Sequence, residues 1–138
     1  MLSKPWLVFA GGILCATLTS AADDTLDNDG AWSAHIDGDS RTARRARVVI
    51  YEFGGHWQEL GPRRAGDRCR TAKPFPITVQ KSNLVGIEFT VWAASVSIGC
   101  PDFALTLHAV DERTLAGTTS DGRQIRLTRE PAKRKPQR

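Results

Sequence analysis

Apolar and polar side chains alternate with a period of two along most of the chain, the period of half-buried strands. The longest such signal lies between Cys69 and Cys100. Residues 76–80 alternate, Lys81-Ser82-Asn83 supplies a turn, and residues 84–92 alternate again. Ile87, Phe89 and Val91 share one face there, with Glu88, Thr90 and Trp92 on the other, which predicts a hairpin. Upstream, Trp32, Ala34 and Ile36 face one way and Ser33, His35 and Asp37 the other. Residues 47–53 are apolar on both faces, which predicts a strand covered on both sides. Gly54-Gly55 accepts positive φ and predicts the reversal into 56–60. The phase of the pattern changes at Ala93-Ala94-Ser95, after which Val96 and Ile98 are the apolar positions, so a β-bulge is expected there. Phe103, Leu105, Leu107 and Ala109 form the next buried stripe, Asp111-Glu112-Arg113 turns the chain, and 115–119 is a short strand. After a turn at 120–123, residues 124–129 make the last strand, with Ile125 and Leu127 inward. About eight short strands with hairpin-length connections predict an all-β fold, an antiparallel meander barrel with a β-sandwich as the alternative.

The two ends of the chain do not follow this pattern. Residues 1–22 combine Lys4, an apolar run over 6–18 too short for a comfortable membrane span, and the small residues Thr19-Ser20-Ala21-Ala22. They predict a signal peptide cleaved near Ala21 or Ala22, and hence an exported protein, periplasmic or extracellular. A lipid anchor at Cys15 fits less well, because bulky Leu14 precedes it. Residues 23–29 are acidic and poor in apolar side chains, as in a flexible lead-in; 30–130 form the barrel domain; 131–138 are a charged, disordered tail. With the signal removed, Cys69 and Cys100 are the cysteines that remain of three, and they are expected to pair. Such a bridge stabilises a small domain by roughly 3–4 kcal/mol in the chain-entropy account.

Charge narrows the range of partners. The formal net charge is +4. Aspartates crowd 23–39, while Arg41, Arg44, Arg45 and Arg47 form one basic cluster and Arg63, Arg64, Arg68 and Arg70 a second. Such clusters are either solvated loops or contacts for acidic glycans or anionic lipid through counterion release. No aromatic residues interleave with them, and export removes the setting, so nucleic acid is not an expected partner.

Little in the chain suggests catalysis. His35, His56 and His108 have no metal-ligand spacing on one element, and no free cysteine is left, so neither a metal nor a cofactor is expected. His35 and His108 lie on polar faces that adjacent strands could bring together. There is no Gly-x-Ser-x-Gly elbow, and a carboxylate pair would need two of Glu52, Glu59 and Glu88 to converge in a pocket, so an enzyme is not expected. The aromatic residues carry the binding expectation. Trp32 suits a barrel floor; Trp57, with Tyr51 and His56 across the Gly-Gly turn, and Trp92, opposite the Ile87-Phe89-Val91 stripe, are candidate ligand or partner contacts.

Gly30-Ala31-Trp32 resembles the Gly-x-Trp that opens the first strand of the calycin group, the lipocalin- and avidin-like barrels. The resemblance implies that an arginine of the last strand, Arg129 or Arg126, packs across Trp32. It fits an exported, non-enzymatic barrel that binds a small apolar ligand inside or a protein partner at its rim. An inhibitor of a secreted or envelope hydrolase is the alternative, and an envelope protein contacting acidic glycans or lipids a further one.

Overall fold

A computed structural model describes residues 3, 11, 12, 28–38, 43–62 and 66–131. Nearly all of the expected signal segment and of the basic tail, and most of the acidic lead-in, lie outside the described residues. Eight strands follow one another as β1 (Gly30–Ile36), β2 (Arg44–Tyr51), β3 (Gly54–Leu60), β4 (Phe75–Ser82), β5 (Gly86–Val91), β6 (Phe103–Asp111), β7 (Thr114–Thr119) and β8 (Gln124–Arg129). Each pairs antiparallel with the next, and β8 closes on β1 to complete an eight-stranded barrel. The fold is all-β, a meander barrel rather than a sandwich. Closure removes the free edges that an open sheet would expose.

The alternation decides which side chains fill the barrel. Trp32, Ala34 and Ile36 of β1, Ala46, Val48 and Ile50 of β2, and Ile125 and Leu127 of β8 are all buried. Phe75, Phe89, Leu105 and Trp57 complete the packing, and Trp57 meets Phe103 edge-on with ring centroids 5.2 Å apart. A closed barrel of eight strands is just wide enough for its own side chains to fill, and here large aromatic ones do so.

Several local expectations need correction. The β2–β3 reversal is made by Glu52-Phe53, both at positive φ (48° and 63°), not by Gly54-Gly55. The glycines open β3 instead, and a Cβ at Gly55 would meet the Val49 carbonyl oxygen at 1.9 Å, so glycine is needed there for close approach. The first hairpin strand runs on to Ser82, and its turn sits at 83–85. No bulge occurs at Ala93-Ala94-Ser95, because β5 ends at Val91. The backbone turns there instead: the N–H groups of Val96 and Ser97 both donate to the Ala93 carbonyl, and the Asp102 carboxylate accepts the Ala94 N–H. The register shifts fall between Val79 and Lys81 and between Ala109 and Asp111. The outer face of β2 is not covered: Val49 is half-buried and Tyr51 exposed. Phe103 is only half-buried and Ala109 exposed, so the β6 stripe narrows to Leu105 and Leu107.

Cys69 and Cys100 form a disulfide with their Cα atoms 5.0 Å apart. It joins the β3–β4 connection to the β5–β6 connection, the two longest in the barrel. Such a bridge is compatible with an exported protein.

Candidate functional site

Strand direction puts the starts of β1, β3, β5 and β7 and the ends of β2, β4, β6 and β8 at one end of the barrel, here the Trp32 end. Three short turns meet there: Glu52-Phe53, 83–85 and Glu112-Arg113. Trp32 is the floor, with 1% of its surface exposed. The Arg129 guanidinium lies 4.2 Å from the centre of the Trp32 ring, the stacking that the calycin resemblance implied, worth about 1 kcal/mol. Arg126 projects outward from the same strand and is exposed.

Asn28 and Asp29, expected in the flexible lead-in, form a strut across this end. Asn28 is buried, and its Nδ2 donates to Ser82 Oγ (2.8 Å) and to the carbonyls of Asn83 (2.9 Å) and Gly86 (3.3 Å). Its own carbonyl accepts the Trp32 indole N–H at 2.9 Å. The Asp29 carbonyl accepts Arg129 Nη1 at 2.7 Å, and its carboxylate accepts the Glu52 N–H at 3.3 Å. Two residues thus tie the β4–β5 turn, the β2–β3 turn, the floor tryptophan and the stacked arginine together.

Above this floor opens a cup of about 570 Å³. Leu84, Ala109, Val110 and Leu115 form its apolar wall, and Asp111 and Glu112 its acidic lip. The Asp111 carboxyl is held below its ordinary value by the Arg113 backbone N–H, then by the Thr114 hydroxyl, so it stays ionised. Beyond this lip the end of the barrel carries exposed apolar side chains. Tyr51, Phe53, Leu84, Val85 and Val110 all lie at this end, each more than half exposed. They are five of the eight large apolar residues left exposed among those described; Leu60, Trp92 and Ile98 are the others.

The opposite end is built differently. Glu59 turns into the barrel beside Trp57, its side chain only 1% exposed. Its Oε1 accepts both the Arg44 guanidinium and, at 3.1 Å, the Trp57 indole N–H, while its Oε2 has no partner among the described residues. A smaller cavity of about 190 Å³ lies against Arg44, Phe103, Cys69 and Arg123. Glu52 sits in a turn and Glu88 on the outer surface, so Glu52, Glu59 and Glu88 do not converge.

The four sequence-chosen contact residues divide. Tyr51 and His56 meet edge-on on the outer surface, centroids 6.3 Å apart. Trp92 lies outside the barrel in the row of Pro76 and His56, its indole N–H held by Thr78 Oγ1 at 2.9 Å. Trp57 has no exposed surface and belongs to the core. His35 and His108 are not brought together, because β7 and β8 separate their strands. Sequence reasoning missed Phe53, Val85 and Val110, whose exposure depends on where the turns fall, and Asn28, whose polar neighbours hid it.

No protein-family model matches the chain, and no curated protein matches it. Among solved structures, a redesigned β-barrel is similar, with a TM-score of 0.47 and 13% identity over 82% of this chain and 100% of that one.

Proposed function

We propose that this protein is an exported, non-enzymatic binding module that takes a protein partner on the Trp32 end of its barrel. The observation that carries the reading is the gathering of Tyr51, Phe53, Leu84, Val85 and Val110 on the turns and strand ends of that one end, around an open cup. Exposed apolar side chains gathered at one end of a molecule favour protein contact, and pockets beside them take the anchoring side chains of a partner. The barrel centre is occupied by Trp32, Trp57, Phe75 and Phe89, which argues for contact at the rim over an apolar ligand held inside. A small molecule seated in the cup would leave Tyr51, Phe53 and Val85 uncovered, since none of them lines it. The inhibitor of a secreted hydrolase is one form of this reading, with the rim turns as the inserted element.

The test compares partners captured from envelope and culture fractions of the source cells. Wild-type protein, a Leu84→Asp/Val85→Asp rim variant and a Trp92→Ala outer-wall variant serve as baits. A protein held by the wild type and by the Trp92 variant but lost by the rim variant supports the reading. Identical capture by all three would sink it.

A further inference from the structure

Away from the Trp32 end, the outer wall of β2, β1 and β8 carries a cationic row. His35 of β1 stands directly opposite Arg45 of β2 on one side and Arg126 of β8 on the other. All three are exposed, because Ala34, Ala46, Ile125 and Leu127 beside them point inward. Side chains so paired have Cβ atoms about 4.5–5.5 Å apart, close enough for two arginines to converge over the histidine between them. Neither Arg45 nor Arg126 has a carboxylate within ion-pair distance among the described residues, whereas Arg47, one row along, is paired with Glu130 at 3.0 Å. Asp37 lies 3.6 Å from His35 Nε2, and Arg126 also acts at longer range on Asp111 at the Trp32 end. Gathering like charges in register opposes folding slightly, so the row has no structural use of its own.

The next row along the same wall is Arg47, Ser33 and Thr128, again directly opposite one another. Ser33 and Thr128 present exposed hydroxyls beside the guanidinium groups. We propose that this wall binds a linear acidic polysaccharide, with Arg45 and Arg126 holding its sulfate or carboxylate groups over His35 and its hydroxyls meeting Ser33 and Thr128. A lipid bilayer fits the wall less well. Surfaces that hold membranes pair basic residues with several apolar groups that insert. Here five of the eight exposed large apolar residues among those described lie at the Trp32 end, and Leu60, cross-strand from Arg45, is a single apolar side chain beside the row. The wall is also convex: eight strands close the barrel, so successive strands face directions about 45° apart, and a flexible chain follows that girth better than a plane does.

The experiment follows the fluorescence anisotropy of labelled heparin and labelled polygalacturonate against the full mature chain over a range of salt. The wild type should bind at least one of them at low salt, with affinity falling steeply as salt rises. An Arg45→Ser/Arg126→Ser variant should bind about tenfold more weakly, with the log–log salt slope shallower by about one to two, as expected for two lost ionic contacts. Its thermal midpoint should be unchanged or slightly higher, and an Arg45→Lys/Arg126→Lys variant should keep most of the binding. Three results would overturn the proposal: binding of neither polymer, equal binding by the serine variant, or an equal loss when Arg63 and Arg64 are neutralised instead. Vesicles rich in anionic lipid serve as the competing surface, and tighter, wall-dependent binding to them would also overturn it.

Discussion

The two ends of the barrel are closed by different means. At the Trp32 end the turns are short, and a tryptophan, a stacked arginine and the Asn28-Asp29 strut join them without a covalent bond. At the other end two long connections leave the barrel, and a disulfide holds them to each other. The contrast follows from loop length. A short turn costs little entropy to order, so a few hydrogen bonds and one aromatic stack suffice. Longer irregular connections bury little apolar area for the entropy they lose, and the cross-link offsets this by restricting the unfolded chain. The end without the staple also carries five of the eight large apolar side chains left exposed among the described residues.

The largest expected effect is at the floor of the first end. Trp32→Ala removes a buried side chain of the largest size and the platform for Arg129, and should cost about 3–5 kcal/mol of unfolding free energy in urea. A loss below about 1 kcal/mol would mean that Trp32 is not what closes this end.

Removing the bridge should come next. Cys69→Ser/Cys100→Ser should cost about 3 kcal/mol, with faster amide hydrogen exchange in 66–74 and 92–102 and little change in the turns of the Trp32 end. Uniform loss of protection at both ends would show that the two closures are one cooperative unit.

The buried ion pair of the second end gives a third, smaller effect. Arg44→Leu leaves the Glu59 carboxylate buried beside Trp57 with one indole donor. Breaking a fully buried pair costs about 3–5 kcal/mol; Arg44 is partly exposed, so about 2 kcal/mol is expected. Adding Glu59→Gln to that variant should recover most of the loss, since the amide carries no charge to strand. If the double variant is no more stable than Arg44→Leu alone, the cost was lost packing of the arginine stem and not an unpaired charge.

What the sequence made legible was whatever depends on neighbouring residues. Alternation alone placed Trp32, Ala34, Ile36, Ile125 and Leu127 in the core, and elimination paired Cys69 with Cys100. A familiar dipeptide can also mislead. Gly54-Gly55 carries the expected turn chemistry, but the turn falls on Glu52-Phe53, which the strand pattern of 47–53 includes and which no local signal marks, because two non-glycine residues at positive φ are uncommon. The phase change at Ala93 fits a bulge, but a turn shifts the phase equally, and a turn is what forms there. Asn28 could not be found this way, since the groups that bury it lie 54–58 residues further along the chain. The row of Arg45, His35 and Arg126 is likewise a product of strand register across the β8–β1 closure, which no local pattern encodes.

The smallest effect has the opposite sign and ties strain to use. Phe53 holds φ 63° at the tip of the β2–β3 turn, about half exposed, with its carbonyl fixed by the Val79 N–H. A bulky residue in that region costs of order 1 kcal/mol or more, and only the surrounding hydrogen bonds keep it there. Glycine adopts the same backbone without the clash but orders a more flexible chain, so Phe53→Gly should be stabilising by a net of about 0.5 kcal/mol in urea unfolding. If the Trp32 end is a docking surface, the same variant should hold its partner more weakly while folding more tightly. Backbone strain at an exposed aromatic is then retained because the ring is used. A more stable variant with undiminished partner capture would show that the rim binds without Phe53 and would move the contact toward Leu84, Val85 and Val110. A less stable variant would show that the ring packs the turn, and that the turn at this end, like the loops at the other, is held by what covers it.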